Sequence, residues 1–512
     1  MKPSYSLSVP SEIRDVNLAT KARQVEGWLE GLSNLDVLGK GALLADYLTV
    51  HDRTDLPAGF RSQLLDMTGP AVGEVLLALE AEFREQPLPL DAGRRDQVEL
   101  AIRLLSSVAA ISKRLIFEYA EYSPRLFGEN PLPGYVSRFL HAAGGILDVC
   151  YLCHCQMPTG LWLDIHQTGY LIYQAGLTDT PDTARPPVTL MDAYTALLLE
   201  AVADPYHFSG QERLWIRDLI ARVGHLARVE DARSAKLNGV YGIRVSEDKA
   251  PYQLSRKNEI VPGCELLLNT APLAKKLALV INHMEQGRTG EPDMPLVRHP
   301  SYKALLQQLK LIWSGSTMRL ASRRTPLRQA QYRMMLGFHT IHRQLASGQK
   351  DCPDGTAISC HLVNASQGGV AISVEKPSFH LKIGMLACVG HGHDNSACGL
   401  GLVRWFKTRS DGVLMVGIKF LIGQIHPATA FTDDGRHVYP CLLLEQEQGI
   451  PREENPLPAQ VRLILPSVRL EANAGVEVRQ ETGSLHLRLS EMLEGSNDIA
   501  LFRCHAGSDE PG

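Results

Sequence analysis

Apolar residues recur at three- and four-residue steps through most of the stretch from about Ser11 to Met284, which is the period of helices packed by one face. Gln97 to Tyr119 carries the pattern most clearly: Ile102, Leu105, Val108, Ala109, Ser112, Leu115 and Ile116 fall on one side of a helix. Ser123-Pro124 should end it, because proline lacks the amide donor and disfavours helix in the residue before it. Ser209 and Glu212 form a capping box ahead of LWIRDLIARV, and Pro158 precedes a further helix through Trp162. Breaks at Pro131–Gly134 and Asp179–Pro187 pair the helices into a bundle or a repeat-like stack. No repeat with a period near roughly 34 residues is present. Gly239 to Leu254 alternates instead and predicts a hairpin set on the helical domain.

The pattern changes after EQGRTGEPDMPLVRHP, residues 285–300, whose charges and breakers read as a linker. Ser301 to Trp313 predicts a short amphipathic helix. Beyond it the period falls to two. YRMMLGF, GLVRWF and VGIKFL, then VYPCLLLEQ, QVRLILPS, VEVRQE, GSLHLRLSEML and DIALFRCH, are short apolar segments separated by turn residues. The expected organisation is α+β and multidomain: an all-α helical domain over 1–284, the linker 285–300, a β-barrel with its helical lead-in over 301–430, and a further small β-rich region over 431–512.

Length and composition agree with several soluble domains, since 512 residues exceed what one core supports. A net charge of −4 gives no general affinity for nucleic acid, so DNA is not expected as a partner and any nucleotide must be held by a local cluster of cations. No apolar run is long enough to span a bilayer and the N-terminus has no secretory core, so no membrane insertion and a cytoplasmic location are expected. The 10 cysteines are scattered and form no disulfide framework.

Two clusters concentrate the chemistry. RRTPLR supplies Arg323, Arg324 and Arg328, permanently charged planar forks suited to phosphate oxygens or the O6/N7 edge of guanine, each good pair giving roughly 1–3 kcal/mol of discrimination. NASQGG supplies the amide of Asn364 and the hydroxyl of Ser366 at a strand end, with Gly368 and Gly369 leaving room for close approach to the backbone. Arg-x-x-x-Arg, then Asn-x-Ser-x-x-Gly, then a strand reading Val-Gly-Ile-x-Phe through Gly417, resembles the PilZ domain, a bacterial receptor for cyclic di-GMP. The resemblance covers about a fifth of the chain, Arg323 to Leu421. It implies a six-stranded barrel in which Arg324 and Arg328 grip phosphate and guanine while Asn364, Ser366 and Gly369 hold the ligand from the barrel face. Arg323, directly ahead of the motif, implies a stacked pair of ligand molecules.

Other sites compete less well. Cys150, Cys153, His154 and Cys155 offer Cys-x-x-Cys-His, but they sit in an apolar helical setting without a second ligand pair, so buried core cysteines are expected. Cys388, His391, His393, Asp394 and Cys398 match no ligand spacing of known geometry, and an ordinary hairpin loop is expected there. His166 reads as a packed histidine. The chain has no Gly-x-Ser-x-Gly elbow, phosphate loop, His-Glu-x-x-His helix or Gly-Gly-Asp-Glu-Phe run, so neither an enzyme nor a resident cofactor is expected. The sequence therefore reads as a cyclic di-GMP receptor that relays binding to a helical output domain, itself docking a protein partner or a second copy. The alternatives are a helical scaffold with a degenerate barrel, or a metalloprotein using one of the Cys/His clusters.

Overall fold

The computed structural model describes residues 21–84, 86–122, 130–184, 187–232, 240–254, 263–286, 294, 300–316, 331–348, 357–391, 399–433, 435–445, 461–467, 470, 473–480, 483–496 and 498–506. The chain divides into two compact units, residues 1–318 and 319–512.

The first unit contains helices α1 (Ala22–Gly31), α2 (Val37–Arg53), α3 (Ala58–Phe83), α4 (Ala92–Tyr122), α5 (Leu132–Leu152), α6 (Leu161–Gln174), α7 (Leu190–Val202), α8 (Gly210–Val223), α9 (Ala271–Glu285) and α10 (Pro300–Trp313). Ser209 and Glu212 cap α8 reciprocally, as the capping box requires. The single apolar face predicted for α4 is only half of what it buries. Leu105, Ala109 and Ile116 pack with α5 to α10. Val98, Ala101, Leu104, Ile111 and Leu115 pack with α1 to α3. A helix wedged between two cores must be apolar on two sides, so its one-sided pattern is diluted.

Two consecutive basic residues of α4 are buried and reach different neighbours. Lys113 Nζ lies 2.5 Å from Asp164 of α6, and Arg114 Nε 3.1 Å from Asp52 of α2. The expected hairpin is part of a four-stranded antiparallel sheet formed by β1 (Arg228–Asp231), β2 (Val240–Ile243), β3 (Tyr252–Gln253) and β4 (Leu266–Asn269), in the order β1-β4-β2-β3. Helix α10 belongs to this unit's core: Leu306, Leu309 and Trp313 are fully buried, and Tyr241 donates its hydroxyl to the Ile312 carbonyl at 2.5 Å.

The second unit is two closed antiparallel barrels. The first comprises β5 (Gln331–Leu336), β6 (Ile358–Ser366), β7 (Gly369–Val374), β8 (Leu386–His391), β9 (Gly399–Thr408) and β10 (Leu414–Phe420), with helix α11 (Phe338–Ala346) after β5. The second comprises β11 (Gln424–Thr432), β12 (Val438–Glu445), β13 (Val461–Pro466), β14 (Gly475–Gln480), β15 (Gly483–Gly495) and β16 (Ile499–Ala506). The β-rich region expected at the C-terminus is thus a barrel in its own right. Around the first ring the order is β5-β6-β7-β10-β9-β8; around the second it is β11-β12-β13-β16-β15-β14. Shifting every label of the first by six gives the second, so the connectivity is repeated strand for strand.

The barrels share a core. Met335, Phe338, Ile341, Leu386, Leu400 and Leu402 of the first pack against Leu442, Ile464, Ile499 and Leu501 of the second. The Asp498 carboxylate accepts the amides of Phe338 at 3.3 Å and Leu386 at 2.9 Å, and Arg404 pairs with Glu494. Closure leaves no sheet edge, so the barrels join without strand pairing, through apolar side chains and through side-chain hydrogen bonds to backbone groups of the first barrel.

Candidate functional site on the outer face of the first barrel

Register decides which side chains face outward. In the β7–β10 pair, Val374 opposes Leu414, Ile372 opposes Val416 and Val370 opposes Ile418. All six are buried and fill the interior. The intervening pairs, Ser373–Met415, Ala371–Gly417 and Gly369–Lys419, therefore point out. On β6, Leu362 opposes the inward Ile372, and strict alternation would turn Asn364 inward too. A bulge at Val363 prevents this, so that Asn364 opposes Ala371 and Ser366 opposes Gly369. On β9 a second bulge, at Arg404, puts Phe406 opposite the inward Val416 and Trp405 opposite Gly417.

One row across the sheet thus reads Asn364, Ala371, Gly417, Trp405, and the next contains Ser366, Gly369 and Lys419. The middle of both rows lacks bulk. A Cβ on Gly369 would run into the Ile418 carbonyl, and one on Gly417 into the Trp405 indole, so glycine is required at both places. Ser366 Oγ donates to the Gly369 carbonyl at 3.3 Å, and the Phe420 amide to the Gly368 carbonyl at 3.0 Å, which fixes the hairpin carrying the motif against the end of β10. Gly368 is exposed, and a Cβ there would meet nothing. The result is a shallow floor of backbone flanked by an amide and a hydroxyl on one side and by an indole and an ammonium on the other.

Of the residues expected in the site, Asn364, Ser366, Gly368, Gly369 and Gly417 lie together on this face. Arg323, Arg324 and Arg328 lie outside the described residues. The chain enters β5 at Gln331, opposite His361, and β6 runs from there toward Asn364. Sequence reasoning did not single out Trp405 or Lys419. Their strands were recognised, but parity counted from Val403 turns Trp405 inward, and only the bulge reverses it.

The competing candidates fall elsewhere. Cys150 and Cys153 are buried at the end of α5, and burial pushes the Cys153 thiol up, away from the reactive thiolate. The loop carrying His393, Asp394 and Cys398 lies outside the described residues. No group of three or more His, Cys, Asp or Glu among the described residues is placed to hold a metal ion. No helix among them is long and apolar enough to cross a membrane. His166 is fully buried; its Nε2 meets the Lys249 carbonyl at 2.7 Å and its Nδ1 the Tyr194 hydroxyl at 3.1 Å. A carbonyl only accepts, so Nε2 carries the proton and Nδ1 accepts from Tyr194. Burial lowers the pKa to about 4, so the ring is neutral and fully engaged.

Comparison with known proteins adds an observation independent of the two motifs. Residues 23–234, which run from α1 to just beyond β1, match the family described as "Cyclic-di-GMP receptor FimW, N-terminal domain". A curated relative, the cyclic-di-GMP receptor FimW of Pseudomonas aeruginosa (strain PAO1), is 25% identical over 353 residues, which is 67% of this chain and 57% of the relative.

Proposed function

We propose that the protein is a receptor for cyclic di-GMP that binds the dinucleotide on the outer face of its first barrel. One observation carries this reading: Asn364, Ser366, Gly369 and Gly417, scattered over 54 positions of sequence, share one outer face of a closed barrel. The similarity of the helical unit to the N-terminal domain of a cyclic-di-GMP receptor supports it from a different part of the chain. Arg328 precedes Gln331 by three positions, so extended backbone keeps its Cα within roughly 10 Å of the strand end beside β6.

The chemistry follows from the charge of the ligand. A dianion bound by Arg324 and Arg328 neutralises cations that repel one another, while the amide of Asn364 and the hydroxyl of Ser366 meet polar edges from the barrel. Arg323 adds a third cation, which suits a stacked pair of ligands. The arginines lie on the stretch joining α10 to β5, so holding them against the barrel restrains the covalent link to the helical unit. Binding then shifts the population of that link toward the restrained state, which is the relay to the output domain and its protein partner. A second messenger is intracellular, and the reading places the receptor in the cytoplasm. Nothing in this scheme makes or breaks a bond in the ligand, so the protein acts as a receptor rather than an enzyme.

Calorimetric titration of the whole chain with cyclic di-GMP tests the reading. Saturable binding lost in Arg324→Ala and Arg328→Ala is expected, with two ligands per chain if a stacked pair forms and one if it does not. No binding by the wild-type protein would leave the helical scaffold as the better description.

A further inference from the structure

We propose that the helical unit has a ligand site of its own, a cavity between α3, α4, α5 and α8 that binds a small monoanionic amphiphile, a carboxylate carried on an apolar chain. The proposal does not rest on the receptor reading, because every group it uses lies within residues 80–217 of the helical unit.

Three observations carry it. First, the space has the size of a binding site. Protein interiors leave few voids larger than a water molecule. Here about 450 Å³ stands open beside Phe83 of α3, Leu105 of α4, Val149 and Leu152 of α5 and Leu214 of α8, within the roughly 300–1,000 Å³ of small-molecule sites. It is not slack between α4 and α5, which approach closely where a Cβ on Gly145 would lie 3.0 Å from Leu105. Leu214 is 44% exposed, and an apolar chain in the cavity would cover it. Second, the charges here are paired with one another, and one pair is soft. Arg84 pairs with Glu80, Arg213 with Glu200 at 3.2 Å and Arg217 with Asp148 at 2.9 Å. Loss of solvation, then the Glu200 and Glu80 carboxylates, push the Asp148 carboxyl up to about 7, against the pull of Arg217 and Arg213. Near neutral pH Asp148 takes up a proton, which releases the fork of Arg217. Third, Arg213 lines the same cavity, is almost wholly buried, and has no acceptor for its Nε–H among the described residues. Its guanidinium has capacity for an oxygen that its neighbours do not supply. Together these features select the ligand. A bare anion would have no use for the apolar lining, and a cation would meet three arginines. A dianion would need a second released cation, whereas Arg84 and Arg213 keep their carboxylates. A single carboxylate on an apolar chain fits: its oxygens take Arg217, Asp148 holds a proton from solvent, and the chain lies along Leu105, Val149 and Leu214.

The experiment titrates sodium octanoate, octanol and sodium acetate into the full chain by calorimetry, at pH 6 and at pH 8. Octanoate is expected to bind saturably, one per chain. Octanol lacks the charge and acetate lacks the chain, so each should bind at least about tenfold more weakly. Octanoate affinity should fall about tenfold from pH 6 to pH 8, because the proton on Asp148 is already present below 7 and must be taken up above it. Arg217→Gln should weaken octanoate binding about tenfold. Asp148→Asn, which keeps the shape of the protonated acid, should bind at both pH values as the wild type does at pH 6. If either variant fails to fold, as judged by circular dichroism, the wild-type series with its three probes and two pH values still decides. Absence of saturable octanoate binding by the wild type, or wild-type affinity in Arg217→Gln, overturns the site. Equal affinity for octanol overturns the recognition of charge, equal affinity for acetate that of the chain, and equal affinity at the two pH values the part of Asp148. Cyclic di-GMP titrated into the same variants should bind as it does to the wild type, so failure here and failure of the receptor reading are told apart.

Discussion

Val363 and Arg404 are each one residue too many for the strands they occupy, and the orientation of the site depends on them. Asn364 and Trp405 face outward only because these extra residues break the alternation just before them. The residue types of the motif and their place at a strand end were readable, an amide, a hydroxyl and two glycines between two alternating segments. Its direction was not readable, because a bulge leaves no mark in the pattern of apolar residues. Gly369 shows a related constraint, with a strand carbonyl where its side chain would go. Gly369→Ala should destabilise the second unit by about 1–3 kcal/mol through overpacking against backbone, seen as a lower urea midpoint. His166 gives a pH signature at the same scale. Folded, the neutral ring takes up no second proton until about pH 4, whereas in the unfolded chain it does so below its ordinary value of 6.5. Stability from this residue is complete above pH 6.5 and is lost as pH falls toward 4, by roughly 3 kcal/mol in total. Urea midpoints measured across that interval should fall less steeply in His166→Gln than in wild type.

Among the elements, α4 carries the most connections. Its 31 residues serve two cores, and the paired charges at Lys113 and Arg114 tie it to α6 and α2. Removing Asp52 takes from the buried Arg114 one of its partners. Asp52→Ala is therefore expected to cost about 1–3 kcal/mol in chemical denaturation, the usual loss for breaking a buried charged hydrogen bond. The sequence showed that α4 is a helix, the stop expected at Ser123-Pro124 lying outside the described residues, but one apolar stripe was taken for the whole burial. The second stripe reads as background wherever a helix is covered on both sides. Helix α10 carries a similar lesson. Its amphipathic pattern fitted a lead-in to the barrel, whereas Trp313 and Leu309 bury it in the helical unit, and pattern alone does not say which neighbour receives an apolar face.

At the scale of the molecule, the two barrels form one folding problem. A chain ending near Leu421 would expose Met335, Leu386, Leu400 and Leu402, which the second barrel now covers. That truncation is expected to aggregate, whereas residues 319–512 should give a soluble, cooperatively unfolding fragment in size-exclusion and denaturation experiments. The β-rich C-terminus was legible from its short alternating segments. Its closure into a barrel with the strand order of the first was not, because strand order leaves no mark in the alternation of apolar and polar residues. That order also fixes which faces correspond. The counterpart of the motif face is the outer surface of β12, β13 and β16, where Leu442, Ile464 and Leu501 stand in one row. Those side chains are spent on joining the barrels. On the receptor reading the polypeptide therefore owns two copies of one scaffold and a single address for the messenger. Its dose–response should lack any cooperativity between barrels, and a steeper response would have to come from ligands stacking on one face or from chains meeting one another.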